Sequence, residues 1–192
     1  MELKKSRRSL ERAKNYFHRM KNSKTLDEFE ENWIDFLNYT EKIWNKSTDE
    51  CRSFENKFNP WREKKYNTLR KKDPLLKYIK TARGSDQHSV KELVKKNYGG
   101  TSVKSKELGK SVVLRNISFR NCELIIGGGE NYKVEYTSSK VEAISFVNRG
   151  VTYNPPISHL GVALSNSKDP FEIAELAIVF YEKYLIDIES AF

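Results

Sequence analysis

Histidine, cysteine and long apolar runs are all scarce in this chain, and each scarcity closes off a class of function. Its 192 residues include three His and two Cys. Cys51 and Cys122 alone make neither a disulfide framework nor a thiolate metal site, and His18 and His159 have no further ligands at metal spacing. No metal or cofactor is therefore expected. No run approaches the roughly 20 apolar residues that span a bilayer. No apolar signal segment precedes the glycosylation-type triplets at Asn38, Asn45 and Asn116. The expected compartment is cytoplasmic, with no membrane partner.

Acidic charge is also short, but only in one part. Residues 1–110 hold 28 Lys+Arg against 16 Asp+Glu, a net +12, while residues 111–192 hold 7 against 10, a net −3. A basic surface of this kind gathers polyanions and speeds their encounter, which favours nucleic acid over a neutral metabolite as partner. Ten Phe, ten Tyr and three Trp supply the bulky apolar surface that disordered chains lack.

The pattern of those apolar residues predicts an α+β fold. Leu3, Leu10, Ala13, Phe17 and Met20 recur at helical spacing over residues 3–21. Thr25-Leu26-Asp27-Glu28 reads as a capping box, and Phe29, Trp33, Phe36, Leu37, Ile43 and Trp44 trace one stripe beyond it. A third helical stretch carries Cys51, Phe54 and Phe58, with Asn59-Pro60 ending it or opening another. Asp73-Pro74 opens a helix that turns Leu75, Leu76, Ile79 and Ala82 inward, and Val90, Leu93 and Val94 are expected to continue it to Asn97. Residues 99–110 read as a linker.

From residue 111 the runs are short and β-branched: 112–119, 121–126, 132–137 and 143–147, with Gly127-Gly128-Gly129 as a hairpin turn. They predict one small antiparallel sheet of three or four strands. Asp169-Pro170 then caps a final helix bearing Phe171, Ala174, Ala177, Ile178, Tyr181 and Leu185, expected to cover that sheet or to dock on the helices or a dimer. The expected organisation is thus a helical bundle over 1–98, a linker over 99–110, and a sheet with a closing helix over 111–192.

One pair carries chemistry. Arg83 and His88 stand five positions apart, Arg83-Gly84-Ser85-Asp86-Gln87-His88, at the end of a basic helix. On a continuous helix they project from neighbouring turns and can meet one phosphate. Arginine forks onto phosphate oxygens without losing its charge, and histidine takes and gives a proton near neutral pH. Around them, Lys80, Lys91, Lys95 and Lys96 can guide a nucleic-acid backbone, and Tyr78 or Tyr98 can stack an unpaired base.

Residues 1–97 resemble the HEPN superfamily, the higher eukaryote and prokaryote nucleotide-binding domain. The likeness rests on Trp33-Ile34-Asp35-Phe36-Leu37, on Pro60-Trp61-Arg62-Glu63-Lys64-Lys65, and on Asp73-Pro74-Leu75-Leu76-Lys77-Tyr78-Ile79 leading into Ala82-Arg83 and His88. The resemblance implies an up-and-down helical bundle, a homodimer that brings two R-x4-H motifs into one composite cleft, and a metal-independent endoribonuclease. RNA brings its own 2′-hydroxyl nucleophile, so such an enzyme needs proton transfer, here by His88, and phosphate binding with transition-state charge stabilisation, here by Arg83. It also implies a place among toxin–antitoxin and other defence systems, with a neutralising antitoxin as a further partner. The chain departs from the family where a polar residue usually follows the arginine and Gly84 stands instead. Ser85 or Asp86 is then the candidate supporting group, and the alternative is a catalytically inactive HEPN-like module that binds RNA or protein.

Overall fold

The computed structural model describes residues 2–86, 93–121 and 123–192, with the backbone alone for residues 85 and 86. The chain forms two compact units. Residues 1–96 and 141–192 make the first, and residues 97–140 the second.

The first unit is built on three long helices. α1 (Lys4–Asn22) and α2 (Leu26–Glu50) are joined by three residues, a connection that leaves room only for an antiparallel hairpin. Two side chains fix its ends. The Thr25 hydroxyl accepts from Glu28 N (3.0 Å), while the Glu28 carboxylate accepts from Lys24 N (2.8 Å), one residue before the partner that the capping box predicts. At the other end Glu50, the last residue of α2, accepts from the Lys5 and Ser6 backbone N–H groups (2.7 and 2.9 Å). It satisfies donors that the first turn of α1 cannot bond internally.

α6 (Pro170–Ala191) closes this unit, capped by Asp169, whose carboxylate accepts from Phe171 N (2.9 Å). It runs beside α2: Phe171 packs edge-on against Phe29, and Tyr184 stacks on Trp44 and bonds the Ser47 hydroxyl at 2.8 Å. The final helix therefore docks on the helices, one of the arrangements the sequence allowed. Every apolar residue predicted for the inward faces of α1 and α2 is buried, as are Leu75, Leu76, Ile79 and Ala82. At about 1.5–3 kcal/mol for each large apolar side chain, this burial outweighs any single polar contact in the unit.

Between α2 and α6 the chain follows a bent path: a 3-10 turn (Arg52–Phe54), α3 (Glu55–Arg62), a π-helical turn (Glu63–Asn67), α4 (Thr68–Lys72) and α5 (Pro74–Asp86). Pro60 neither ends nor opens a helix, contrary to expectation, but lies inside α3. It lacks the N–H that would bond the carbonyl four residues back. The wide turn follows directly, placing Tyr66 against Tyr184 and Phe180 in the core.

α5 begins at Asp73, which caps Leu76 N at 3.0 Å. The same carboxylate is gripped from the far end of the sequence by His159 Nδ1 (3.0 Å) and Leu160 N (2.7 Å). Despite its burial, these donors hold the Asp73 carboxyl below its ordinary range.

The expected helix does not extend over Val94 to Asn97, while Val90 lies outside the described residues. Val94–Asn97 is β1, pairing with β6 (Lys140–Ala143) where the chain passes between the units. β-branched Val94 and its buried position outweigh the local helical pattern. Two tight hairpins complete the first unit: β7 (Phe146–Asn148) with β8 (Val151–Tyr153), and β9 (Ser158–His159) with β10 (Val162–Ala163). Each turns on two left-handed residues, Arg149-Gly150 and Leu160-Gly161.

The second unit is an antiparallel ribbon of two successive ladders. β2 (Gly100–Ser105) pairs with β5 (Tyr132–Thr137), and β3 (Val113–Arg120) with β4 (Glu123–Glu130). Asn131, at φ 56°, joins them through bonds to Ser105, Glu107 and Ser111. The region expected to be a linker thus contains strand β2, and one sheet is replaced by separate two-stranded ladders. Nor do Gly127 to Gly129 form the hairpin turn. They lie within β4, where a Cβ at Gly129 would come within 2.3 Å of the Val113 carbonyl, and the chain reverses at Asn121 instead. No described residue of 97–140 is buried.

Candidate functional site

Arg83 stands near the end of α5. The helix buries Leu75, Leu76, Ile79 and Ala82 and leaves Lys77, Lys80, Thr81 and Gly84 on its other side, spaced three and four apart, with Arg83 at their margin. Across from this side lies the β7–β8 hairpin. Together they enclose a cavity of about 570 Å³ lined by Lys80, Thr81, Arg83, Gly84, Asn148, Arg149, Val151 and Tyr153.

Among the described residues the lining holds three cations and no carboxylate. Arg83 Nε is buried and has no hydrogen-bond partner among the described residues. A buried guanidinium N–H left unpaired costs free energy, whereas a phosphate oxygen would satisfy it with a charge-assisted bond. Arg149 reaches the cavity from an unusual backbone. It holds φ 50°, a conformation that non-glycine residues occupy at a cost, and Gly150 follows at φ 76°.

The hairpin is fixed to the helix by Asn148, whose Nδ2 donates to the Thr81 carbonyl at 3.2 Å. Gly84 lies close to this contact. A Cβ there would lie 3.3 Å from Asn148 Nδ2, so glycine leaves the space that the amide uses. Asn148 also lines the cavity that Arg83 lines.

The other predicted site residues divide. Lys80 shares the cavity with Arg83. Lys95 is exposed on β1. Lys96 is not a guide for a backbone, because its Nζ pairs with Asp27 (2.5 Å) and Glu30 (2.6 Å), which raise its pKa and tie β1 to the start of α2. Tyr78 is not a stacking platform either. It is 2% exposed, its hydroxyl donates to the Ile144 carbonyl at 2.9 Å, and burial pushes its pKa up. His88 and Lys91 lie outside the described residues, as do the side chains of Ser85 and Asp86.

Sequence reasoning missed Asn148, Arg149 and Tyr153. The turn-forming Asn148-Arg149-Gly150 run was the available signal, since Gly after a short strand marks a hairpin. Nothing local indicated that this hairpin packs on α5. Among the described residues no cluster of three His, Cys, Asp or Glu is placed to hold a metal, and no helix is long and apolar enough to cross a membrane.

Compared with protein-family models, curated proteins and solved structures, the chain matches none. Its own residues carry the functional reading.

Proposed function

We propose that the protein is an RNA-binding endoribonuclease in which the cavity around Arg83 holds a backbone phosphate and His88 transfers the proton that starts 2′-hydroxyl attack. The observation that carries this reading is a lining whose charged residues, among those described, are the cations Lys80, Arg83 and Arg149, with Arg83 Nε buried and without a hydrogen-bond partner among the described residues. Three cations around one oxyanion serve ground-state binding, and they serve the more highly charged phosphorane better. The chemistry calls on no metal: the 2′-hydroxyl is the nucleophile, its proton leaves to a base, and the 5′-oxygen leaves with a proton. The products are a 2′,3′-cyclic phosphate and a 5′-hydroxyl. In the resemblance to HEPN proteins a second copy supplies the symmetry-related pair, so the active form is proposed to be a homodimer, and a role as a toxin or defence effector follows the same resemblance.

The second reading, RNA binding without cleavage, is favoured by a specific observation. Gly84 stands where a polar residue usually follows the arginine in HEPN proteins. One experiment separates the two: incubation of labelled single-stranded RNA in EDTA with wild type, Arg83→Ala and His88→Ala, with the product ends identified. Cyclic-phosphate ends that vanish in both variants support the nuclease. Retention of RNA by uncleaving wild type supports the binding module, and full cleavage by His88→Ala contradicts the assignment of His88.

A further inference from the structure

A second cavity, about 380 Å³, opens beside the first on α5. It is lined by Lys72 and Lys77 from the helical side and by Tyr153 and the Asn154-Pro155-Pro156-Ile157 corner from the other. Among the described residues it too has no carboxylate in its lining. Tyr153 belongs to the lining of both cavities.

That ring is mounted on a rigid base. Tyr153 stacks on Phe146, centroids 5.6 Å apart and planes within 14°. Phe146 is 4% exposed and packs in turn on buried Tyr78 at 5.2 Å. A tyrosine held from beneath while its remaining surface lines two cavities loses little entropy on accepting a flat partner. Lys77 Nζ lies over the ring, 5.6 Å from its centroid. Lys77 and Arg83 are six residues apart on one helix, about 9 Å along its axis, and each lines a cavity that Tyr153 also lines.

We propose that Tyr153 with Lys77 and Lys72 forms a nucleotide subsite in which an unpaired base stacks on the Tyr153 ring, next to the phosphate held at Arg83. The inference rests on the RNA reading above and narrows it. Free phosphate would fill only the Arg83 cavity, and a duplex keeps its bases within the stack. The ligand class is therefore single-stranded RNA of at least two nucleotides. Proline rigidifies the far wall: Pro155-Pro156 fixes the chain after Tyr153, and Ile157, 72% exposed, offers apolar contact at the rim.

The test is fluorescence anisotropy with a short 2′-O-methyl RNA, which cannot be cleaved, against an abasic chain carrying the same phosphates. The proteins are wild type, Tyr153→Leu, Lys77→Gln and Arg83→Ala. Wild type is expected to bind the base-bearing chain about ten-fold more tightly than the abasic one. Tyr153→Leu, which keeps an apolar side chain over Phe146, should remove that difference. Lys77→Gln should weaken both chains modestly, and Arg83→Ala should weaken both strongly. Equal binding of the two chains by wild type overturns the subsite while leaving the phosphate site intact. That comparison needs no variant, so a misfolded Tyr153→Leu does not cloud it. Failure of wild type to hold either chain would overturn the RNA reading itself, and the subsite with it.

Discussion

Arg149 concentrates the argument at the scale of single residues. Its left-handed backbone would suit glycine, yet a long cation stands there and reaches the Arg83 cavity. Replacement by Gly should leave stability unchanged or raise it by up to about 1 kcal/mol, because the strained φ is relieved. RNA affinity should fall at the same time. Urea denaturation beside a binding titration checks both, and a loss of stability with unchanged affinity would show Arg149 to be a packing residue.

Cys51 makes the opposite case. It is fully buried, and burial pushes its thiol up to about 11. Iodoacetamide at pH 8 should leave Cys51 unmodified in the native protein and alkylate it in denaturant, as read by peptide mass, since the thiolate is the reactive form. Both residues differ from what spacing alone conveys. The sequence marked Arg83 and Lys80, which share a helix and a short span, whereas Arg149 and Tyr153 join them only through tertiary packing.

At the scale of elements, α5 is held at its start and near its end by different parts of the chain. Asp73 joins its first turn to His159 and Leu160, and Asn148 joins Thr81 to the β7–β8 hairpin. Asp73→Asn should cost about 1.5–3 kcal/mol, the range for hydrogen bonds to a charged group. Because the carboxyl is held below its ordinary range when folded, its contribution is complete above the unfolded pKa and is lost as pH falls through the lowered folded pKa. The stability difference between wild type and Asp73→Asn should therefore be constant near neutrality and shrink below about pH 4. A difference that grew on acidification would contradict the linkage.

The ends of these elements were legible where a capping residue decides them. Thr25, Asp73 and Asp169 each cap the helix they announce. Pro60 and Val94 were misread because tertiary burial settled both: the apolar side chains after Pro60 needed a wide turn, and Val94 fills a core position from a strand. The three glycines of β4 were misread for a related reason. Glycine marks either a turn or a close approach, and the Val113 carbonyl against Gly129 shows the latter.

For the whole molecule, the division of the chain governs which parts resist unfolding. The first unit holds all the buried apolar residues described, and the ribbon of residues 97–140 has none. Two-stranded ladders without a buried face are marginal in water. Hydrogen exchange should therefore be fast throughout β2 to β5 and slowest in α1, α2 and α6, where opening approaches global unfolding. Protection of the ribbon equal to that of α2 would mean that a partner covers it. The pairing of β1 with β6 keeps the two ends of the ribbon's connections close, so replacing residues 97–140 by a short flexible loop should leave the first unit folded. Composition indicated the basic character of the first 110 residues but not that residues 141–192 return to their helices, since long-range pairing leaves no local trace.

The central claim is that Arg83 anchors an RNA phosphate, and salt dependence tests it most directly. Each phosphate contact to a single strand contributes about 0.7 to the slope of log affinity against log salt. Filter binding of a single-stranded RNA across a salt series should show Arg83→Ala with a slope shallower than wild type by about that amount, and by a similar amount for unrelated RNA sequences. A slope and affinity unchanged by the substitution would contradict the account.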